Sequence, residues 1–127
     1  MKYKIRLGVP EMENLWNALC SRKASGTWTK GESQLYKKWG KAMYYLSINP
    51  LHNSLHSHEI KPLSERYGLK VWQSYLENKT SRARRMYWVY GPGKDEITII
   101  GLEPHPEDKK NGAYAKISLS SLRINES

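Results

Sequence analysis

The sequence contains no phenylalanine, a single cysteine and no long apolar segment. One cysteine, Cys20, excludes an internal disulfide framework and is expected in a reducing compartment, where we predict it is a small core residue. No run of residues approaches the ~20 apolar positions that a membrane-spanning helix needs. The first residues, MKYKIRLG, are followed by no hydrophobic stretch of the kind found in a signal peptide. We therefore expect a cytoplasmic protein without a membrane partner.

Acidic residues are also in short supply. The 127 residues include 21 Lys and Arg against 12 Asp and Glu, which gives a net charge of +9. A chain with this balance attracts phosphate polymers or an acidic protein through long-range electrostatics and counterion release. Charge alone does not choose between these partners. The five Trp and nine Tyr residues indicate a folded domain and exclude a disordered chain.

The hydrophobic pattern predicts one α+β domain over residues 1–127. Apolar residues alternate with basic ones over residues 3–7, which predicts a half-buried strand, and helical spacing predicts two helices. Further strands are predicted after the second helix, which Asn49-Pro50 ends. We expect the N-terminal strand and two helices to pack on one side of a curved, mainly antiparallel sheet. The predicted helices cover residues 11–23 and 33–47, and the later strands cover 58–63 (ending at Pro62), 70–77, 86–90 and 97–102.

Three arginines stand at the start of a predicted strand in the second half of the chain. Arg82, Arg84 and Arg85 come just before or at the start of the apolar segment 86–90. Strand alternation prevents all three from facing one side, and charges at a strand edge also discourage aggregation. A functional role for them in binding a polyanion and a purely protective role both remain open at this point.

A histidine follows the last predicted strand. His105 lies between two prolines, which we expect to hold it extended outside the hydrogen-bonded ladder. Its imidazole titrates near neutral pH, so it suits general acid or base chemistry. A surface loop histidine without a function is the alternative.

Other basic and imidazole groups receive simpler interpretations. His52, His56 and His58 form an HxxxHxH pattern, but no cysteine or carboxylate pattern completes a tetrahedral site, so we predict loop histidines and no metal. The lysines of the second predicted helix are most simply a solvated face. They are Lys37, Lys38 and Lys41.

The element order and the second hairpin together resemble the RelE/ParE superfamily of bacterial type II toxins. The resemblance covers residues 3–117, and its most specific part is RMYW at 85–88, ITIIG at 97–101, and His105. It implies a RelE/ParE-like fold and an endoribonuclease that cuts messenger RNA on the ribosome. The implied reaction uses no metal or other cofactor, since a 2′-hydroxyl attacks the adjacent phosphate.

The resemblance also implies roles for individual residues. Arg85 matches the family's strand arginine and would stabilise the phosphorane, and His105 would act as acid or base. The general base is not evident from the sequence, where Glu77 and Glu59 are the available carboxylates. Further candidates for contacting RNA are the phosphate-positioning residues Arg82, Arg84, Lys109 and Lys110, and Tyr114 for stacking on a base.

The implied partners are an acidic antitoxin protein and messenger RNA on the ribosome, with DNA bound only through a toxin–antitoxin complex. Two other functions stay open. One is a ParE-like protein that inhibits DNA gyrase without catalysing a reaction. The other is a basic nucleic-acid-binding domain without toxicity. Fold analogy does not decide among the three.

Overall fold

The computed structural model describes residues 2–8, 10–77 and 84–104. Its strands are β1 (Lys4–Leu7), β2 (His58–Glu59), β3 (Trp72–Tyr75), β4 (Arg84–Tyr90) and β5 (Glu96–Pro104). Its helices are α1 (Glu11–Ser25), α2 (Lys30–Ile48) and α3 (Lys61–Tyr67), with a short 3₁₀ helix at Asn53–Leu55. In the described part of the chain, no helix combines the length and apolarity needed to cross a membrane.

The described strands form one mixed sheet in the order β1-β5-β4-β3-β2. β1 pairs in parallel with β5, while β2 to β5 form an antiparallel meander. The predicted α+β class is therefore confirmed. The chain begins with the predicted strand and two helices, but a third helix, α3, lies between the first two strands of the antiparallel meander. β5 extends to Pro104, which pairs with Arg84, so the strand ends two residues beyond the predicted end at Leu102.

The long helix α2 begins three residues earlier than its hydrophobic spacing predicts. Thr29 forms a capping box with Glu32, in which Thr29 Oγ1 accepts the Glu32 N–H at 3.1 Å and Glu32 Oε1 accepts the Thr29 N–H at 2.9 Å. These bonds satisfy amide groups that the first turn of a helix leaves without partners. The helix buries Trp39, Ala42 and Leu46 against the sheet.

Two apolar layers lie on opposite faces of the sheet. β4 alternates between them, since Met86 and Trp88 belong to the layer under α1 and α2, whereas Tyr87 and Val89 belong to the layer under α3. All four side chains are fully buried. Because β4 is covered on both faces, its sequence is continuously apolar instead of alternating.

Helix α3 is the main departure from the predicted fold. The strand predicted over residues 58–63 is limited to His58–Glu59, and Pro62 lies in the first turn of a helix. Proline is tolerated there because first-turn amides have no partner within the helix. Gly68 ends α3 with φ of 75°, which glycine adopts without strain. The sheet is therefore covered by helices on both faces and not only on one.

Candidate functional site

The two described arginines of the predicted site face opposite sides of the sheet. Arg84 shares its side with Met86 under α1 and α2, and Arg85 shares its side with Tyr87 under α3. The two cations therefore have separate surroundings.

Arg84 lines an open cleft of about 240 Å³ between the first half of α2 and the ends of β3 and β4. We call it the cationic cleft. It is lined by Gly31, Gln34, Leu35, Lys38, Leu76, Glu77 and Arg84.

Glu77 lies between two cationic residues of this cleft. Its Oε2 accepts a hydrogen bond from Lys38 Nζ at 3.0 Å, and its Oε1 accepts one from the backbone N–H of Arg84 at 3.2 Å. The second bond exists because Glu77 lies two residues after the end of β3, opposite Arg84 at the start of β4. Lys38 was predicted to be simply solvated, and the structure corrects this by pairing it with a carboxylate 39 positions away.

The surroundings of Glu77 keep its carboxylate ionised. Partial burial opposes ionisation, but the hydrogen bonds from Lys38 and the Arg84 backbone outweigh it and lower the pKa of Glu77 below its usual value. The cleft therefore combines one anion with the positive charges of Lys38 and Arg84. This net positive site suits a phosphate. Glu77 is the carboxylate beside it, and its lowered pKa and two hydrogen bonds make it a weak proton acceptor.

Arg85 is buried, with 6% of its surface exposed. Its guanidinium carbon lies 3.8 Å from the ring centroid of Tyr75, the residue on β3 with which Arg85 pairs. Its Nη1 donates to the backbone carbonyl of Glu77 and, at 3.3 Å, to that of Arg84. Among the described residues its buried Nε has no partner. Arg85 thus contacts Tyr75, the last residue of β3, and binds the backbone carbonyl of Glu77. Its catalytic role stays a prediction.

The histidines predicted to lie in loops are in contact with tyrosines. His52 and His56 flank the 3₁₀ helix and His58 lies on β2. The His56 ring centroid is 4.9 Å from that of Tyr75, and His52 stacks on Tyr45 at 4.3 Å. In the described segments, no group of three or more His, Cys, Asp or Glu residues is arranged to hold a metal ion.

Most of the remaining predicted site lies outside the described residues. This applies to Arg82, His105, Lys109, Lys110 and Tyr114. The catalytic role of His105 accordingly stays a prediction. Sequence analysis missed Lys38 and Tyr75 as neighbours of the arginines, because their contacts join elements far apart in the chain.

Comparison of the chain with protein-family models, with curated proteins and with solved structures gave no match. The function is therefore argued from the geometry of the cationic cleft and its neighbours.

Proposed function

We propose that this protein is the toxin of a bacterial type II toxin–antitoxin pair, a RelE-like endoribonuclease that cleaves messenger RNA on the ribosome. The observation that carries the proposal is the cationic cleft, where the ionised Glu77 lies between Lys38 and Arg84. The order of one strand, two helices and an antiparallel meander supports a RelE/ParE-like fold.

The cleft contains groups suited to an attack by a 2′-hydroxyl on the adjacent phosphate. Glu77 accepts the hydroxyl proton as the new O–P bond forms. Arg84 and Lys38 stabilise the negative charge that develops on the phosphorane oxygens. The bond to the 5′-oxygen then breaks, and an acid protonates this leaving group. His105, outside the described residues and implied by the resemblance to act as acid or base, takes the role of this acid in the scheme. No metal takes part in this scheme.

In this scheme Arg85 is a positioning residue. It donates to the carbonyl of Glu77 and lies under Tyr75, so it fixes the end of β3 from which the carboxylate of Glu77 extends. Arg84 is better placed than Arg85 to reach a phosphate because it lines the open cleft.

The proposed partner outside the reaction is an acidic antitoxin. The net charge of +9 supports such a partner, since a segment rich in Asp and Glu would neutralise the basic surface of the chain. DNA would be bound only by the complex of the two proteins.

The test is inducible expression in a bacterial host, with growth followed and messenger RNA ends mapped. The wild type should arrest growth and produce new ends inside translated messages. Arg84→Ala should reduce cleavage by about 10²–10³-fold, the usual effect of removing one group that stabilises transition-state charge. Lys37→Ala is the matched control, because Lys37 is an exposed lysine of the same helix that does not line the cleft. Equal cleavage by wild type and Arg84→Ala would refute the assigned site.

A second candidate function is inhibition of DNA gyrase without catalysis. The lowered pKa of Glu77 favours it, because such a carboxylate is a weak general base and inhibition of a protein needs no base. This alternative predicts growth arrest without new messenger RNA ends, together with inhibition of supercoiling by purified gyrase. Arrest accompanied by cleavage in translated regions would exclude it.

A further inference from the structure

A second groove continues from the cationic cleft along α2. It has a volume of about 260 Å³ and shares Lys38 and Leu76 with the cleft. Lys41 and Tyr45 line it from α2, and Tyr75 lines it from β3. We call it the α2 groove. The two cavities are therefore neighbours along α2.

Positive charge runs along the helix side of this path. Lys38 contributes to both cavities, and Lys41 follows it by one turn of α2. Within the described segments, the salt bridges of the protein are Lys38–Glu77 and Arg22–Glu32, so Lys41 has no carboxylate partner there. Its Nζ lies 5.8 Å from the ring centroid of Tyr45. An exposed cation without an acidic partner is suited to a phosphate.

The two tyrosines of the groove are held in place by their neighbours. Tyr45 stacks on His52 with an angle of 17° between the ring planes. The His52 ring is fixed in turn, because its Nδ1 accepts the backbone N–H of Ser54 at 3.1 Å. The Tyr75 ring lies against the Arg85 guanidinium at 3.8 Å, on the face that Arg85 shares with Tyr87, so Tyr45 is the ring on which the inference depends. Pre-ordered aromatic rings lose little freedom when a planar ligand binds.

We propose that the α2 groove binds an unpaired segment of RNA next to the scissile phosphate, with Lys41 at a phosphate and Tyr45 contacting a base. Proteins bind single-stranded nucleic acids without sequence preference by placing cations along the phosphate backbone and aromatic side chains against the bases. A duplex is excluded because its bases are stacked on one another and do not reach the tyrosines. The inference rests on the proposed function for the choice of RNA as the ligand.

The test is fluorescence anisotropy with a labelled single-stranded 12-mer of 2′-O-methyl RNA, which lacks the nucleophilic hydroxyl and therefore is not cleaved. Lys41→Ala should reduce the slope of log affinity against log salt by about 0.7, the contribution of one phosphate contact on a single strand. Tyr45→Ala should weaken binding about fivefold or more, as the loss of one base–aromatic contact does. Lys37→Ala and Tyr44→Ala are the matched controls and should bind like the wild type, since neither residue lines the groove.

Three results would overturn the inference: no binding by the wild type, groove variants that bind like their controls, or equal binding of the 12-mer in duplex form. Equal displacement by polyglutamate of the same charge would also overturn it, because the groove would then be a site for acidic peptide. Tyr45 is partly buried, so near-ultraviolet circular dichroism must show that the Tyr45→Ala variant is folded. Lys41 is exposed, so the salt dependence of the Lys41→Ala variant tests the groove independently.

Cleavage of messenger RNA on translating ribosomes, measured separately, distinguishes the two proposals. Groove-dependent binding without any cleavage would refute the ribonuclease and leave the binding site standing. Cleavage with binding unaffected by the groove variants would refute the groove alone. A single-stranded DNA 12-mer of the same sequence completes the comparison, and tighter binding of DNA than of RNA would contradict the proposed ligand.

Discussion

Replacement of Arg85 by alanine should destabilise the protein by about 3 kcal/mol. The guanidinium carbon lies 3.8 Å from the centroid of the Tyr75 ring in a buried site, where a cation–π contact contributes about 2 kcal/mol. Its hydrogen bonds to the carbonyls of Glu77 and Arg84 add about 1.5–3 kcal/mol for a charged donor. The two contributions share one side chain and are not fully additive, so their sum is reduced to about 3 kcal/mol.

Urea unfolding followed by circular dichroism measures this loss, and the midpoint of thermal unfolding should fall by about 10 °C. Arg84→Ala is the control. Its substitution preserves the backbone N–H that binds Glu77, and we expect a change within about 0.5 kcal/mol. An Arg85→Ala variant within 0.5 kcal/mol of the wild type would refute the structural role of this arginine.

This result bears on how toxicity is interpreted. If Arg85→Ala lowers stability as expected, its loss of growth arrest would not by itself identify a catalytic residue, because less folded protein would also be present in the cell. Arg84→Ala avoids this difficulty and is the sharper probe of the cleft.

Three further predictions concern contacts that hold the site in place. Ser74→Ala should lower the free energy of unfolding by about 1–3 kcal/mol, because the buried Trp88 Nε1–H, which donates to Ser74 Oγ at 2.8 Å, loses its acceptor. Urea unfolding measures this loss. An unchanged midpoint would contradict the bond. Thr29→Ala should cost about 1 kcal/mol through loss of the α2 cap, while Thr27→Ala, outside the capping box, should cost less in the same thermal scan. Because the folded-state pKa of Glu77 is lowered, the stability it contributes is present above its ordinary value of 4.5 and is lost as the pH falls through the folded value. The stability difference between wild type and Glu77→Gln should thus be larger at pH 7 than at pH 3, and an equal difference would contradict the shift.

Local patterns in the sequence were sufficient for the α+β class and the main element order. The spacing of Leu15, Trp16 and Leu19 predicts α1, and the continuous apolar run at 97–102 predicts β5. The sequence does not predict helix α3, because Pro62 favours the end of a strand there, whereas in the structure it occupies the first turn of a short helix. With seven residues, this helix shows too little periodicity to be recognised, and its position depends on packing against the sheet.

The candidate site was predictable only in part. Strand alternation showed that the arginines would not all face one side, which Arg84 and Arg85 confirm. It gave no indication that Lys38 pairs with Glu77 or that Arg85 lies under Tyr75, because these contacts depend on how α2 and β3 pack in three dimensions. The sequence does not predict the contacts of His52 and His56 with tyrosines for the same reason.

The most direct test of the ribonuclease proposal is the chemistry of the cleaved ends. Purified protein would be added to ribosomes stalled on a defined messenger RNA in the presence of a chelator at a level that leaves the ribosomes intact, with Arg84→Ala and Lys37→Ala in parallel. Attack by the 2′-oxygen must leave a 2′,3′-cyclic phosphate on one fragment and a 5′-hydroxyl on the other. We predict these ends for wild type and Lys37→Ala, and a strong loss of product for Arg84→Ala. Ends with a 3′-hydroxyl and a 5′-phosphate, or no cleavage by the folded wild type, would contradict the account.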